Sequence, residues 1–190
     1  MQQRLHPLPL LSALAVLTLI ALCVALAVGS VHLPLHSVMS ALEGGGDPLT
    51  RTLVLELRLP RAVTAFATGG LLALAGALMQ VLLRNPLADP YILGVSGGAA
   101  VGALLSLLLG MAGFWVSGSA FVGALISMLI VFVLAHGRGG WTPTRLLLTG
   151  IVVAFGWGAA ISLLLVLSDN TSLRGMLFWL MGDLSYRSSG

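Results

Sequence analysis

The sequence predicts an all-α, polytopic transmembrane helical bundle. Charged residues make up 8% of the chain and hydrophobic ones 58%, where soluble domains carry roughly a quarter charged. Mean hydropathy is +1.06. The apolar residues gather into runs of about 20, the length a helix needs to cross a bilayer, and the charges and most prolines lie between them.

Five spans fit, at about 8–29, 61–83, 90–112, 114–135 and 143–167, within a single transmembrane domain over residues 1–190. In the first, Arg4 precedes an apolar run from Leu8 to Gly29. Secretory hydrophobic regions are about 7–15 residues long, so this one reads as a retained span. The second runs uncharged for 22 residues, Ala62–Leu83, and Pro60 fits the first helical position. Asp89-Pro90 and Thr142-Pro143 put a capping side chain before a proline at the starts of the third and fifth. Residues 30–60 are mixed and read as a loop holding one or two short amphipathic helices. A segment at about 171–182, with Phe178 and Trp179, is too short to span and suits a helix lying at the membrane interface.

Composition excludes several kinds of chemistry. All nine basic residues are arginine, so no Walker A loop with its Gly-Lys-Ser/Thr can exist in this chain. The net charge of +3 comes with no basic stripe interleaved with aromatics, which excludes a nucleic-acid surface. Cys23 is alone and reads as a small buried hydrophobe. His32 and His36 are four apart, but Pro34 lies between them and no third ligand is near, so they read as a solvated pair. No charge lies mid-span, which argues against an ion-coupled secondary transporter or a proton relay.

Orientation is not settled by charge. With the N-terminus inside, Arg4, Arg84, Arg138 and Arg145 fall on the cytoplasmic side and Arg51, Arg58, Arg61, Arg174 and Arg187 outside.

Four features could carry function. A helix starting at Pro60 would place Arg58 and Arg61 at its positive end, where cations need an acidic counterpart: lipid phosphate, Glu56, or carboxylates on a docking protein. The turn Arg84-Asn85-Pro86-Leu87-Ala88-Asp89-Pro90 must reverse the chain, and reads either as a gate-lining loop or as a plain capped turn. Small residues recur every four positions, at Gly94, Gly98, Gly102, Ser106 and Gly110 and again at Gly150, Ala154, Gly158 and Ser162. Each set makes one smooth helix face, suited either to tight packing or to the side of a translocation path. Finally, Gly94-Val95-Ser96-Gly97-Gly98 fits the G-x-S-x-G of serine hydrolases and resembles the GxSG of rhomboid proteases. An intramembrane serine protease is thus an alternative, but the elbow wants a preceding strand and a histidine base, and the sole candidate base is His136.

Taken together, RLPR (58–61), LLALAGALMQ (71–80), RNPLADPYILGVSGGA (84–99), RLLLTGI (145–151) and LRGMLFWLMGDLS (173–185) resemble the FecCD-type permeases of binding-protein-dependent ABC importers for iron–siderophore complexes, haem and cobalamin. The resemblance implies the first half of a subunit of about ten spans, either a piece of a longer protein or one product of a split gene. It implies a second permease subunit, identical or distinct, and two cytoplasmic ATPase subunits that hold the ATP and Mg, with no cofactor in this chain. A periplasmic or lipid-anchored binding protein delivers the substrate, and the setting is the bacterial inner membrane with the N-terminus in the cytoplasm. Residue by residue, Arg58 and Arg61 would meet glutamates of the binding protein. Asn85, Leu87, Pro143 and Thr144 would contribute to the cytoplasmic gate, and residues 146–167 would line the path.

Overall fold

The computed structural model describes residues 7–137 and 140–182. Arg4, Arg138, Arg187 and the end of the 173–185 motif lie outside the described residues. The described chain is helical: α1 (Pro7–Ala27), α2 (Leu35–Leu42), α3 (Pro48–Thr52), α4 (Leu59–Leu83), α5 (Val95–Leu108), α6 (Phe114–Ala135), α7 (Pro143–Leu167) and α8 (Asn170–Leu180). Four helical stretches are long and apolar enough to cross a membrane: Leu8–Ala27, Pro48–Leu83, Phe114–Ala135 and Pro143–Leu167.

The second span differs from expectation. It does not begin near Pro60; one helix runs 36 residues from Pro48 to Leu83. Its true N-terminus is capped by Asp47, whose carboxylate accepts the Thr50 N–H at 3.2 Å. Pro60 sits in the interior, where it cannot donate a hydrogen bond. The preceding segment, Leu53–Arg58, is π-helical, and the Leu59 N–H reaches back five residues to the Val54 carbonyl. Such insertions absorb an interior proline. Arg58 and Arg61 therefore do not stand at a helix start, and the need for an acidic counterpart to offset a positive helix end falls away.

The third span, expected as 90–112, is not one helix. Asp89 does cap it, accepting the Tyr91 N–H at 2.7 Å. Pro90–Leu93 then makes only a 3₁₀ turn, and Gly94 at φ +65° ends it. The helix after that break, α5, has 14 residues, about 21 Å at 1.5 Å per residue. Gly110 and Gly113, both at positive φ, then turn the chain into α6.

Residues up to Thr68 form one compact unit and those from Gly69 to the end of the described chain a second. In the first, Leu26 of α1, Val38 and Ala41 of α2 and Val54 of the π segment bury one another. This explains the two short helices of the 30–60 region: α2 is amphipathic and closes over the end of α1. In the second, α5 lies against α6 and α7. Its other core gathers Met79, Leu83, Ala88, Leu93, Val131, Ala135 and Leu146 beneath the 84–93 turn.

Helix α8 follows α7 after a two-residue link and buries Met176 completely, while Phe178 stays exposed. Its N-cap, Asp169, is ionised: hydrogen bonds from the Ser172 side chain and the Thr171 hydroxyl hold its carboxyl below the ordinary value of 3.8. A lowered folded pKa means that the cap is intact above that ordinary value and is lost as pH falls through the folded one. Asp169→Ala should therefore speed hydrogen exchange over the first turn of α8 at neutral pH, with α7 unaffected.

Glycine position makes a sharper forecast. A Cβ at Gly102 would run into the Ser119 carbonyl, whereas one at Gly158 meets nothing within 4 Å. Gly102→Ala should destabilise by about 1–3 kcal/mol through forced separation of α5 and α6. Gly158→Ala should be neutral or stabilise by up to about 1 kcal/mol through helix propensity. Unfolding in detergent micelles measures both.

Candidate functional site

The two arginines of the RLPR motif have different surroundings. Arg61 is exposed. Arg58 is half-buried, and its guanidinium donates to three carbonyls: Leu26 at 2.7 Å, Ala27 at 3.1 Å and Val31. The first two lie in the last turn of α1, where carbonyls lack an intrahelical partner; that of Ala27 also accepts the Leu33 N–H at 3.0 Å. Glu56, an expected counter-charge, is not its partner. Among the described residues, then, only Arg61 of the pair presents an unengaged guanidinium.

Asn85, Leu87, Pro143 and Thr144, expected at a gate, are all exposed. The neighbours Ala88 and Leu146 are buried in one apolar cluster, so the two turns lie together. The first turn is stiff. Helix α4 closes with the Asn85 N–H on the Gln80 carbonyl at 3.1 Å and the Arg84 N–H on that of Val81 at 3.3 Å. This is a Schellman ending, in which Arg84 takes the left-handed position (φ +48°) that glycine usually fills. The Asn85 side chain then accepts the Leu87 N–H at 3.0 Å, which leaves Leu87 87% exposed at the tip. In the second turn, Thr142 caps α7 through the Arg145 N–H at 3.3 Å. The Trp141 indole donates to the Phe132 carbonyl at 2.8 Å and closes the end of α6.

The small-residue stripes are crossing points. A Cβ at Gly98 would strike the Gly123 carbonyl, one at Gly102 that of Ser119, and one at Gly150 that of Ile92. Gly94 lies against the Ala154 backbone, 3.3 Å from where its own Cβ would be. Close packing is thus the geometry at Gly94, Gly98, Gly102, Gly150 and Ala154, and Gly158 faces open space. The partner stripe on α6 is Ser119, Gly123 and Ser127, again four apart. That interval is present in the sequence of span four, beside those noted in spans three and five, and is the signal that could have found it.

Where the crossing is tightest, Ser127 ties three elements together. It is fully buried. Its hydroxyl donates to the Gly94 carbonyl at 2.8 Å and accepts the Trp157 indole N–H at 2.8 Å. The Gly94 carbonyl also accepts the Gly98 N–H at 3.1 Å as the first bond of α5, so Ser127 adds a second donor there and ties the break to α6. Nothing in the sequence alone pointed to Ser127 or Trp157 as partners. Beside the crossing lies an apolar groove of about 710 Å³, floored by Gly98 and Gly102 and walled by Val122, Ile126 and Trp157.

Ser96 sits in the first turn of α5, after a 3₁₀ turn and not after a strand. Among the described residues the histidine that bonds a serine is His36, to its neighbour Ser37 at 3.2 Å. The hydrolase elbow is absent from this geometry.

Residues 17–190 match the model of the FecCD transport family. The chain belongs to that family. It is 40% identical over 182 residues to the ferric enterobactin transport system permease protein FepD of Escherichia coli, covering 92% of this chain and 53% of FepD. It is 37% identical over 140 residues to the vitamin B12 import system permease protein BtuC of Pectobacterium atrosepticum, covering 73% of this chain and 42% of BtuC. A solved structure of a transporter assigned to the metal-chelate type of ABC transporters, in an inward-facing conformation, superimposes with a TM-score of 0.78 at 29% identity. It covers 96% of this chain and 56% of that one. The chain spans about half the length of the relatives it matches. Its fold, an all-α bundle of membrane-crossing helices, is that of a multi-pass FecCD-type permease.

Loss of the Ser127 hydroxyl would strand the Trp157 N–H and leave the Gly94 carbonyl with the Gly98 N–H alone. Ser127→Ala should therefore destabilise by about 1–3 kcal/mol, and Trp157→Phe by less, since it leaves the hydroxyl bonded to Gly94. Unfolding in detergent, followed by circular dichroism for both variants, measures the difference.

Proposed function

We propose that this chain supplies the first half of the membrane path of a binding-protein-dependent ABC importer for iron–siderophore, haem or cobalamin-type substrates. The observation that carries the reading is the family match over residues 17–190, together with relatives named for ferric enterobactin and vitamin B12. The chain acts passively. It alternates exposure of a path while two ATPase subunits, with their own ATP and Mg, supply the energy. A second permease subunit completes the pore, and the N-terminus is cytoplasmic.

Helix α7 is the candidate wall. Gly150 and Ala154 pack one face of it against the 3₁₀ turn and Gly94. Leu148, Val152, Phe155, Leu163 and Val166 leave another face exposed and uncharged. An apolar wall of this kind suits a bulky cargo that must slide, because it offers no deep well to hold it. The Asn85–Leu87 tip and Pro143–Thr144 form the cytoplasmic gate, supported by their common position over one buried cluster.

At the outer end, Arg61 meets an acidic group of the binding protein. An exposed arginine offers a carboxylate two parallel N–H donors. Arg61→Glu should weaken binding-protein affinity about tenfold or more at low salt, and the deficit should shrink as salt rises. Affinity unchanged by the reversal would remove the docking role. Uptake of labelled ferric siderophore, haem and cobalamin by cells carrying the permease operon separates the substrates. In the same assay Ser96→Ala should leave uptake intact, whereas peptide cleavage abolished by that change would instead establish a protease.

A further inference from the structure

We infer that Arg58 is a positioning residue and not a docking residue: its guanidinium staples the end of the first span to the helix that presents Arg61. The inference rests on the docking role proposed for Arg61 and divides the labour within the RLPR motif.

Three observations converge on it. First, donor inventory. A guanidinium has five N–H donors. Nη1 directs its pair at the Leu26 and Ala27 carbonyls, and Nη2 directs one at Val31. Two of these acceptors end α1, where a helix carries partial negative charge, so a cation there is favoured. At a membrane edge, a carbonyl left bare is costly; Arg58 relieves that of Leu26 from 32 residues away and adds a second donor to that of Ala27, which also accepts the Leu33 N–H. Second, room. Gly29 lies beside the guanidinium, and a Cβ there would stand 2.9 Å from Nη2. The slot exists because this position has no side chain. Third, aim. The π-helical segment ends at Arg58 itself. Arg58 is half-buried against the end of α1, while Arg61, three residues on, is exposed. Val54 and Leu26 pack in one apolar cluster beside the staple, which fixes the same two elements from the other side.

The consequence is a double dissociation, measured on the permease reconstituted in nanodiscs with its binding protein. Gly29→Val keeps both positive charges but fills the slot of the guanidinium. Arg58→Gln removes the charge and most donors. Both should lower the melting temperature by about 4 °C or more. Both should also weaken docking by similar factors that hold from about 0.05 M to about 0.5 M salt, because the surface is displaced and not discharged. Arg58→Lys, which keeps a charged donor at the helix end, should recover part of the melting temperature. Arg61→Gln should leave melting unchanged and weaken docking only at low salt.

The staple is overturned if Gly29→Val behaves as wild type while Arg58→Gln weakens docking in a salt-dependent way at unchanged melting temperature. Docking that survives Arg61→Gln would sink the role given to Arg61 instead. The melting temperatures of the Gly29 and Arg58 variants would still judge the staple. Should Arg58→Gln fail to fold, the graded pair Gly29→Ala and Gly29→Val carries the test, with the larger side chain expected to give the larger loss.

Discussion

Backbone polar groups must find partners wherever a helix stops, and within a bilayer water cannot supply them. Most of the informative side chains here answer that constraint. Asp47, Asp89, Thr142 and Asp169 each accept an N–H at the start of a helical segment. Arg58 covers the end of α1, the Trp141 indole the end of α6, and Ser127 the broken joint at Gly94. Among the described residues no buried side-chain nitrogen or oxygen lacks a hydrogen bond. A chain with so few polar groups uses them chiefly at its interruptions, and that is why the charged and hydroxyl residues mark the architecture so closely.

Close approach is the second half of the same logic. Without a hydrophobic drive between helices in lipid, contact comes from shape, and glycine provides it by bringing backbones together. The Gly94–Gly98–Gly102 face of α5 meets the Ser119–Gly123–Ser127 face of α6, running the other way. The four-residue interval is kept on both helices, so every turn of one finds a gap in the other. The joint at Gly94 then needs no extra space, because the same small faces that allow the crossing bring the Ser127 hydroxyl within reach of the Gly94 carbonyl.

Much of this was legible in the sequence, and the exceptions share a cause. Hydropathy marked where apolar helices run, and Asp89-Pro90 and Thr142-Pro143 announced helical starts through local chemistry alone. The stripes announced smooth faces. The features that stayed hidden depend on partners far along the chain. Arg-Leu-Pro-Arg before an apolar run looks like a helix entrance. Only the Val54 carbonyl, taken by Leu59, and the α1 carbonyls, taken by Arg58, reveal an interior proline and a cation turned inward. Asp89-Pro90 likewise signalled a helix start without revealing that Gly94 would end it one turn later. Ser127 was invisible for a plainer reason: a serine in an apolar helix usually bonds its own backbone, and its role here requires Gly94 and Trp157 to be in place.

On the proposed function, these fixed joints decide what kind of motion the chain can make. The turn at 84–94 is held by a Schellman ending, an asparagine turn, an aspartate cap and a buried serine. Little freedom is left for it to flap, so a gate built on it opens when the helices carrying it move. Helix α5 is interlocked with α6 through backbone-to-backbone crossings at Gly98 and Gly102, and the 3₁₀ turn before it with α7 at Gly150. Sliding any one of them past another would first have to lift carbonyls over one another. The unit is therefore suited to rocking as a body, with its exposed apolar α7 face sweeping one side of the path. A chain without lysine has no phosphate-binding loop of its own. On the proposed function, the work of rocking arrives through its surface, from a subunit that binds nucleotide.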